Sequence, residues 1–295
     1  MNNLGKEFFI VDKQQVNKYN WTKEQINYII NTYLQDKKSQ KVIADEFNVT
    51  QGTIRNILIK YRINLKSDNK KYEKDESFFE VIDTEEKAYW LGFLYADGYI
   101  VQTKEKSKIR LGIQSRDEEH LQKFLESLKS NYKICHSRKI MDGKEYYLSF
   151  VDIVSVKMVK DIIALGCTPC KTFTQIFPSD DIVPKKFQLA FIRGFFDGDG
   201  CITKTKDKYK KIDGTQRDNY RLFFMGTENM ISHIKQILNL SSNRIYKEGK
   251  VYKVYVYGNK KTYQILSEYI YKDATIYLER KYKKFLELKN LISAP

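Results

Sequence analysis

Trp90-Leu91-Gly92-Phe93-Leu94-Tyr95-Ala96-Asp97-Gly98 and Ile192-Arg193-Gly194-Phe195-Phe196-Asp197-Gly198-Asp199-Gly200 are two copies of one pattern, an apolar run closed by a carboxylate and a glycine. The flanking sequence predicts helices over roughly Glu85 to Asp97 and Lys186 to Asp199. Small residues stand four apart in each, Gly92 with Ala96 and Gly194 with Gly198, so they share a helix face on which two backbones can approach closely. If the helices pack through those faces, Asp97 and Asp199 arrive side by side at the C-terminal ends. Gly98 and Gly200 then occupy helix stops, where positive φ is expected.

A helix C-terminus carries about half a negative charge, and a second carboxylate adds repulsion, so something positive is needed there. A divalent cation answers that need, because paired carboxylates that hold magnesium at a scissile phosphate serve phosphodiester hydrolysis. One Asp-Gly after an apolar helix usually marks a turn. Two copies with matching small-residue faces are far more specific. Asp197-Gly198-Asp199-Gly200 also looks like the start of a calcium loop, but the twelfth position from Asp197 is Lys208, not glutamate.

These motifs resemble the LAGLIDADG motif of homing endonucleases. The resemblance makes the eighth residues, Asp97 and Asp199, the metal-binding acids, assisted by the backbone of Ala96 and Gly198. It leaves the sixth residues, Tyr95 and Asp197, with packing duties, although Tyr95 departs from the usual Asp. It implies Mg2+ as cofactor, with Mn2+ able to substitute and Ca2+ able to bind without supporting cleavage.

Two motifs imply two copies of a domain. Asp97 stands 20 residues before Asp117, and Asp199 stands 28 before Thr227; Asp97 stands 74 before Lys171, and Asp199 stands 82 before Lys281. A single insertion of eight, in the polar stretch Thr203 to Asn219 read as a hairpin loop, accounts for both offsets. In the first half, Ile100–Gln102 with Lys108–Gln114 and Lys133–Ser137 with Glu145–Val151 read as strand pairs. Glu118–Ser130 and Val154–Leu165 read as helices. The second half repeats the order in Cys201–Thr205, Tyr220–Met225, Glu228–Leu240, Arg244–Glu248, Val251–Tyr257 and Thr262–Ile270. The expected fold is α+β, with two pseudo-symmetric αββαββα repeats forming a DNA-binding saddle in a monomer that imitates a C2 dimer.

Lys171 and Lys281 occupy equivalent places after the closing helices. The resemblance aims them at the active-site water or the phosphate, where a lysine stabilises charge without being a metal ligand. Asp117 and Thr227 are candidates for orienting water. The saddle's concave face would carry alternate strand residues into the major groove: Gln102, Lys104, Lys108, Arg110, Gly112 and Gln114 from the first half, Thr203, Thr205, Arg217, Arg221 and Phe223 from the second, with Arg138 and Lys139 from the second strand pair. A one-residue slip of register exchanges the faces.

Upstream, Trp21–Ile30 reads as an amphipathic helix opened by Thr22, followed by Ser39–Phe47, Asn48-Val49-Thr50 and Gln51–Tyr61. This resembles a helix-turn-helix, with Ala44 at the helix crossing, Val49 in the turn, Thr50 as cap, and Ile54 and Ile57 inward. It would aim Gln51, Thr53, Arg55 and Asn56 at bases and Lys60 at phosphate; the alternative is a structural or protein-binding three-helix module. The domain reading is an arm over 1–20, a helix-turn-helix over 21–65, a charged linker over 66–78, and repeats over 79–178 and 179–295.

The chain has 52 Lys+Arg against 37 Asp+Glu, a net charge of +15, which favours polyanion partners. Its Lys, Asn, Ile and Tyr are also what an AT-rich gene encodes, so the motifs decide. Cys167-x-x-Cys170 has no second pair at zinc spacing. Four cysteines without a signal peptide fit a reducing intracellular compartment, bacterial or phage-infected cytoplasm or an organelle, and no apolar run is long enough to span a membrane. The expected function is a metal-dependent, sequence-specific DNA endonuclease that cuts a long asymmetric duplex target with short 3′ overhangs and promotes mobility of an intron or free-standing gene. The alternative is an RNA maturase binding intron RNA, or a DNA-binding regulator, using the same fold without cleavage.

Overall fold

The computed structural model describes residues 20–36, 38–63, 65, 72–104, 106–210, 214 and 216–293; the expected arm, apart from Asn20, and residues 66–71 of the expected linker lie outside them. The chain divides into two compact units, 1–71 and 72–295.

The first unit holds α1 (Lys23–Leu34), α2 (Gln40–Glu46) and α3 (Gln51–Lys60). Each helix starts where a hydroxyl satisfies a free N–H: Thr22 accepts from Gln25 at 3.2 Å while Gln25 accepts from Thr22 at 3.0 Å, Ser39 accepts from Val42, and Thr50 accepts from Thr53. Ile29, Ile43, Ala44, Ile54 and Leu58 form its buried core. Asn48 takes φ +52° in the turn between α2 and α3, a conformation that asparagine tolerates.

The second unit contains both repeats. The first runs α4 (Glu85–Asp97), β1 (Gly98–Gln102), β2 (Ser107–Gln114), α5 (Glu119–Ser127), β3 (Cys135–Met141), β4 (Lys144–Val154) and α6 (Val156–Ala164). The second runs α7 (Gln188–Asp199), β5 (Cys201–Lys210), β6 (Gln216–Gly226), α8 (Glu228–Ile237), β7 (Ile245–Glu248), β8 (Val251–Tyr257) and α9 (Asn259–Ile265). The antiparallel sheets have matching orders, β1-β2-β4-β3 and β5-β6-β8-β7. Inward strand residues such as Ile109, Leu111, Val151 and Ile153, and Leu222, Phe224, Val254 and Val256, join the helices in one apolar core. No helix among the described residues is long and apolar enough to cross a membrane.

Four features depart from the sequence reading. The stretch Thr203 to Asn219 is mostly strand, because β5 and β6 pair as far as Lys210 and Gln216. The offset of eight is not one insertion: Tyr99 pairs with Arg110 across 11 residues and the equivalent Cys201 with Phe223 across 22, while the 3-10 turn Ser115–Asp117 after β2 has no counterpart after β6. The second repeat ends in an additional helix, α10 (Glu279–Ser293), where the first has only the 3-10 turn Lys171–Phe173. Finally, residues 72–78 are not linker. Tyr72 stacks on Tyr132 at 4.4 Å, Asp75 N–H donates to the Leu128 carbonyl at 2.7 Å, and Phe78 is buried, so this segment is anchored to the first repeat.

Candidate active site

The site begins with the contact between α4 and α7. A methyl on Gly92 would lie 2.0 Å from the Phe191 carbonyl oxygen, and one on Gly194 would lie 1.9 Å from that of Tyr89. Tyr89 and Phe191 are equivalent residues, eight before Asp97 and Asp199, so the two helices meet with near two-fold symmetry. At the next turn a methyl on Gly198 would lie 2.2 Å from the Ala96 methyl, leaving space for one of the two. Gly98 and Gly200 have φ of −72° and −81°, not the positive values expected. Their need for glycine is steric: a Cβ would come within 2.5 Å of the Leu94 carbonyl oxygen or 2.1 Å of the Phe196 ring.

This contact brings Asp97 and Asp199 together at the ends of α4 and α7. The outer edge of Asp97 is open to solvent, but protein surrounds its other sides. Burial and then the charge of Asp199 push its carboxyl up to about 7, against the opposing pull of Lys281, Lys171 and Arg280. Burial also raises Asp199. Two carboxylates with raised proton affinity form a hard-oxygen pair suited to a divalent cation.

The lysines serve the same ends. Lys171 Nζ donates to the carbonyls of Gly98 at 2.6 Å and Ala96 at 3.3 Å. Lys281 Nζ donates to those of Asp197 at 2.8 Å and Gly198 at 3.4 Å, and also to those of Phe196 and Gly200. Both side chains are buried, and burial draws Lys281 down to about 8. Each ammonium therefore caps the negative end of a motif helix, part of the positive charge that the sequence reading assigned to a metal alone. The carbonyls of Ala96 and Gly198, expected beside the metal, already accept from these lysines.

The sixth motif residues are structural in geometry. Tyr95 donates to the Leu165 carbonyl at 2.7 Å. Asp197, 2 % exposed, accepts from Tyr89 Oη and from the Leu278 N–H, both at 2.8 Å. Sequence reasoning missed the partners of this network. His120 Nε2 lies 2.9 Å from Tyr89 Oη; since that hydroxyl donates to Asp197, it accepts from the ring. Arg193, buried inside the second motif, donates to the carbonyls of Ile276 and Ile270 and pairs with Glu85. No local pattern signals these contacts, because each joins residues far apart in sequence.

Beside Asp97 opens a cleft of about 290 Å³, lined among others by Phe93, Gly112, Gln114, Asp117, Gly198 and Arg280. Asp117 lies here, held by Arg280, whereas Thr227 is used as the cap of α8 and donates to the Gln175 carbonyl at 2.6 Å. The two water-orienting candidates therefore have different tasks.

Register separates the expected DNA contacts. On the first sheet's outer face, Lys108, Arg110, Gly112 and Gln114 align with Val154, Asp152, Phe150 and Leu148. Lys108 and Arg110 are both bound to Asp152, at 2.9 Å and 2.6 Å. Gln102 pairs with Ser107 and shares the helix-covered side with Ile100, so it leaves the outer set; Lys104 stands in the β1–β2 turn. Lys139 is on the outer side of β3, but Arg138 is on the opposite side, paired with Glu145. On the second sheet Thr203, Thr205, Arg217, Arg221 and Phe223 all lie outward, opposite in parity to Ile202, Tyr220 and Leu222. In the first unit, Gln51, Arg55, Asn56 and Lys60 are exposed on α3, while Thr53 is half-buried with its hydroxyl 3.0 Å from that of Thr50.

Residues 192–292 match the family model described as LAGLIDADG endonuclease. No curated protein matches the chain. Among solved structures, the I-LtrWI LAGLIDADG homing endonuclease bound to target DNA is 12% identical, with 74% of this chain and 91% of that chain covered at a TM-score of 0.46. The LAGLIDADG meganuclease I-AabMI bound to uncleaved DNA is 12% identical, with 69% and 90% covered at 0.45. I-SmaMI bound to an uncleaved DNA target in the presence of calcium ions is 12% identical, with 70% and 90% covered at 0.43. The second repeat thus matches the LAGLIDADG endonuclease family model, and the first is built on the same strand order and the same glycine contacts.

Proposed function

We propose that this chain is a sequence-specific double-strand DNA endonuclease acting as a monomer, each repeat addressing one half of a long asymmetric duplex and each centre hydrolysing one strand. The observation that carries the reading is the convergence of α4 and α7, which sets Asp97 and Asp199 at adjoining helix ends beside an open cleft. Asp97 and Asp199 would hold divalent cations, Mg2+ in the cell. A cation so held supplies Lewis-acid stabilisation at the phosphate and makes a bound water more acidic. Lys171 and Lys281 keep the helix ends neutral enough for the carboxylates to converge, and the outer sheet faces bind the duplex. The different residues on those faces support an asymmetric target. The exposed face of α3 adds contacts of a helix-turn-helix kind through Gln51, Arg55, Asn56 and Lys60. Mobility of an intron or free-standing gene follows from such an activity.

The test is cleavage of a randomised duplex library with Mg2+ and then with Ca2+, alongside Asp97→Asn and Asp199→Asn. A discrete staggered cut in Mg2+, lost in both variants while binding persists, is the expected result. Tight binding to DNA or intron RNA with no cut under any metal would replace the proposal with a maturase or a regulator.

A further inference from the structure

The cleft beside Asp97 contains an ion pair that joins the two repeats. Arg280, from α10 of the second repeat, lies against Asp117, from the first repeat, with Nε 3.0 and 3.2 Å from the two carboxylate oxygens. The Asp117 side chain is 9% exposed and that of Arg280 is 34% exposed. Only Nε engages the carboxylate. The two terminal amino groups have no protein partner among the described residues, and both Arg280 and Asp97 line the cleft. A guanidinium anchored at Nε and open at its outer nitrogens is a preorganised receptor for a phosphate, because its planar donors match two oxygens at once.

The lining of this cleft also differs between the halves. Gly112 faces the cleft, and a Cβ there would meet nothing closer than 3.4 Å, so glycine is not required by packing. The strand register puts Met225 at the equivalent place in the second sheet. Cys170 precedes Lys171 as Arg280 precedes Lys281, so the second half lacks the cation as well.

We propose, on the basis of the endonuclease reading, that Arg280 is a catalytic residue of one centre only: it binds a non-bridging oxygen of the scissile phosphate entering this cleft, with Asp117 as its positioning residue, and that strand is cut first. In the hydrolysis it serves, a water oxygen bonds to phosphorus and the P–O3′ bond breaks. The water's proton goes to solvent and the 3′ oxygen takes a proton from solvent. Arg280 itself forms no covalent bond.

The test uses the full chain and a supercoiled plasmid carrying the duplex returned by library cleavage, with nicks assigned to each strand. Arg280→Ala should shift the ratio of the two strand rates about 100-fold against one strand, the scale of removing one oxyanion donor. Gly112→Met and Asp117→Asn should slow the same strand, and Arg280→Lys should restore part of the rate. Cutting of the other strand reports in the same tube that the variant is folded. An unchanged ratio, or equal slowing of both strands, overturns the proposal while leaving the endonuclease reading intact. If the wild type cuts nothing, the endonuclease reading fails, and arginine Nε NMR of the full chain titrated with inorganic phosphate decides the site. A shift of the resonance missing from Arg280→Lys supports phosphate binding there; no shift excludes it.

Discussion

At the centre of the first sheet's outer face, Asp152 binds Arg110 and Lys108, and the Arg110 guanidinium lies 4.3 Å from the Phe150 ring. At the same register on the second sheet, Phe223 replaces Arg110 and Tyr255 replaces Asp152. Tyr255 packs at 5.4 Å from Phe223 and stacks on Tyr257 at 5.6 Å, with Lys253 Nζ over Phe223. One face is an ion network and the other an aromatic row. The inward neighbours of these positions, Ile109, Leu111, Val151 and Ile153 in one sheet and Leu222, Phe224, Val254 and Val256 in the other, are apolar, so burial fixes the register while the outward positions are free to diverge. Asymmetry of this kind is how one pseudo-symmetric backbone can address two different half-sites.

Matched substitutions in the two halves test how far this divergence extends. The largest effect is expected at the helix ends: Asp97→Asn and Asp199→Asn should each reduce double-strand cleavage by about 10³-fold or more, on the scale of losing a metal-holding carboxylate, with DNA affinity retained. Quantified strand by strand, inequality between them would show the divergence reaching the chemistry. Next come the contacts where the halves are alike. Gly92→Ala and Gly194→Ala each drive a methyl into a backbone carbonyl, and about 3 kcal/mol or more of destabilisation is expected from each in chemical denaturation, the upper range for overpacking. A large difference between them would mean that the helix pair is less symmetric than its glycines suggest.

A smaller effect separates the sheet faces by pH. Burial pushes the Asp152 carboxyl up, but hydrogen bonds from Arg110 and Lys108 outweigh it and hold the group below its usual range. The stability this contributes is present above the unfolded value of about 4 and is lost as pH falls through the lower folded value. In acid titrations, Asp152→Asn should remove about 1 kcal/mol near neutrality, since the pair is partly exposed, and should flatten the loss of stability below pH about 4. The second sheet has no carboxylate at that register; the Tyr255 hydroxyl donates instead to the exposed Glu248, so Tyr255→Phe should alter the acid limb less than Asp152→Asn does. The smallest effect lies in binding. Arg221→Ala should lower the salt dependence of DNA affinity by about one unit of log–log slope, whereas Tyr257→Ala should weaken affinity without changing the slope. Equal slopes for the two variants would remove the distinction between charged and aromatic contacts.

Much of this architecture was legible because local rules and tertiary packing agree. Thr22 and Thr50 cap helices where their hydroxyls suggest, and alternating strands such as Ser107–Gln114 carry their burial pattern in the sequence. Residues 72–78 read as linker because their charges dominate the local pattern, yet Tyr72 and Phe78 find aromatic and apolar partners only in the fold. The positive φ expected at Gly98 and Gly200 failed for a related reason. The usual helix-stop argument considers backbone conformation alone, whereas these glycines are fixed by the Leu94 carbonyl and the Phe196 ring that press on them.

The two motif helices, their small-residue faces, the repeat order and the carboxylates at issue can all be read along the chain, because periodicity and spacing are local properties that it displays directly. Which nitrogen meets which oxygen emerges only on folding: Lys171 and Lys281 on the helix-end carbonyls, Asp197 in a buried network with Tyr89 and His120, Lys108 and Arg110 held by Asp152, and Arg280 on Asp117 across the two repeats. These pairings depend on distances between segments separated by tens to more than a hundred residues. They are set by packing and by the need to neutralise buried charge, neither of which leaves a periodic trace in the chain.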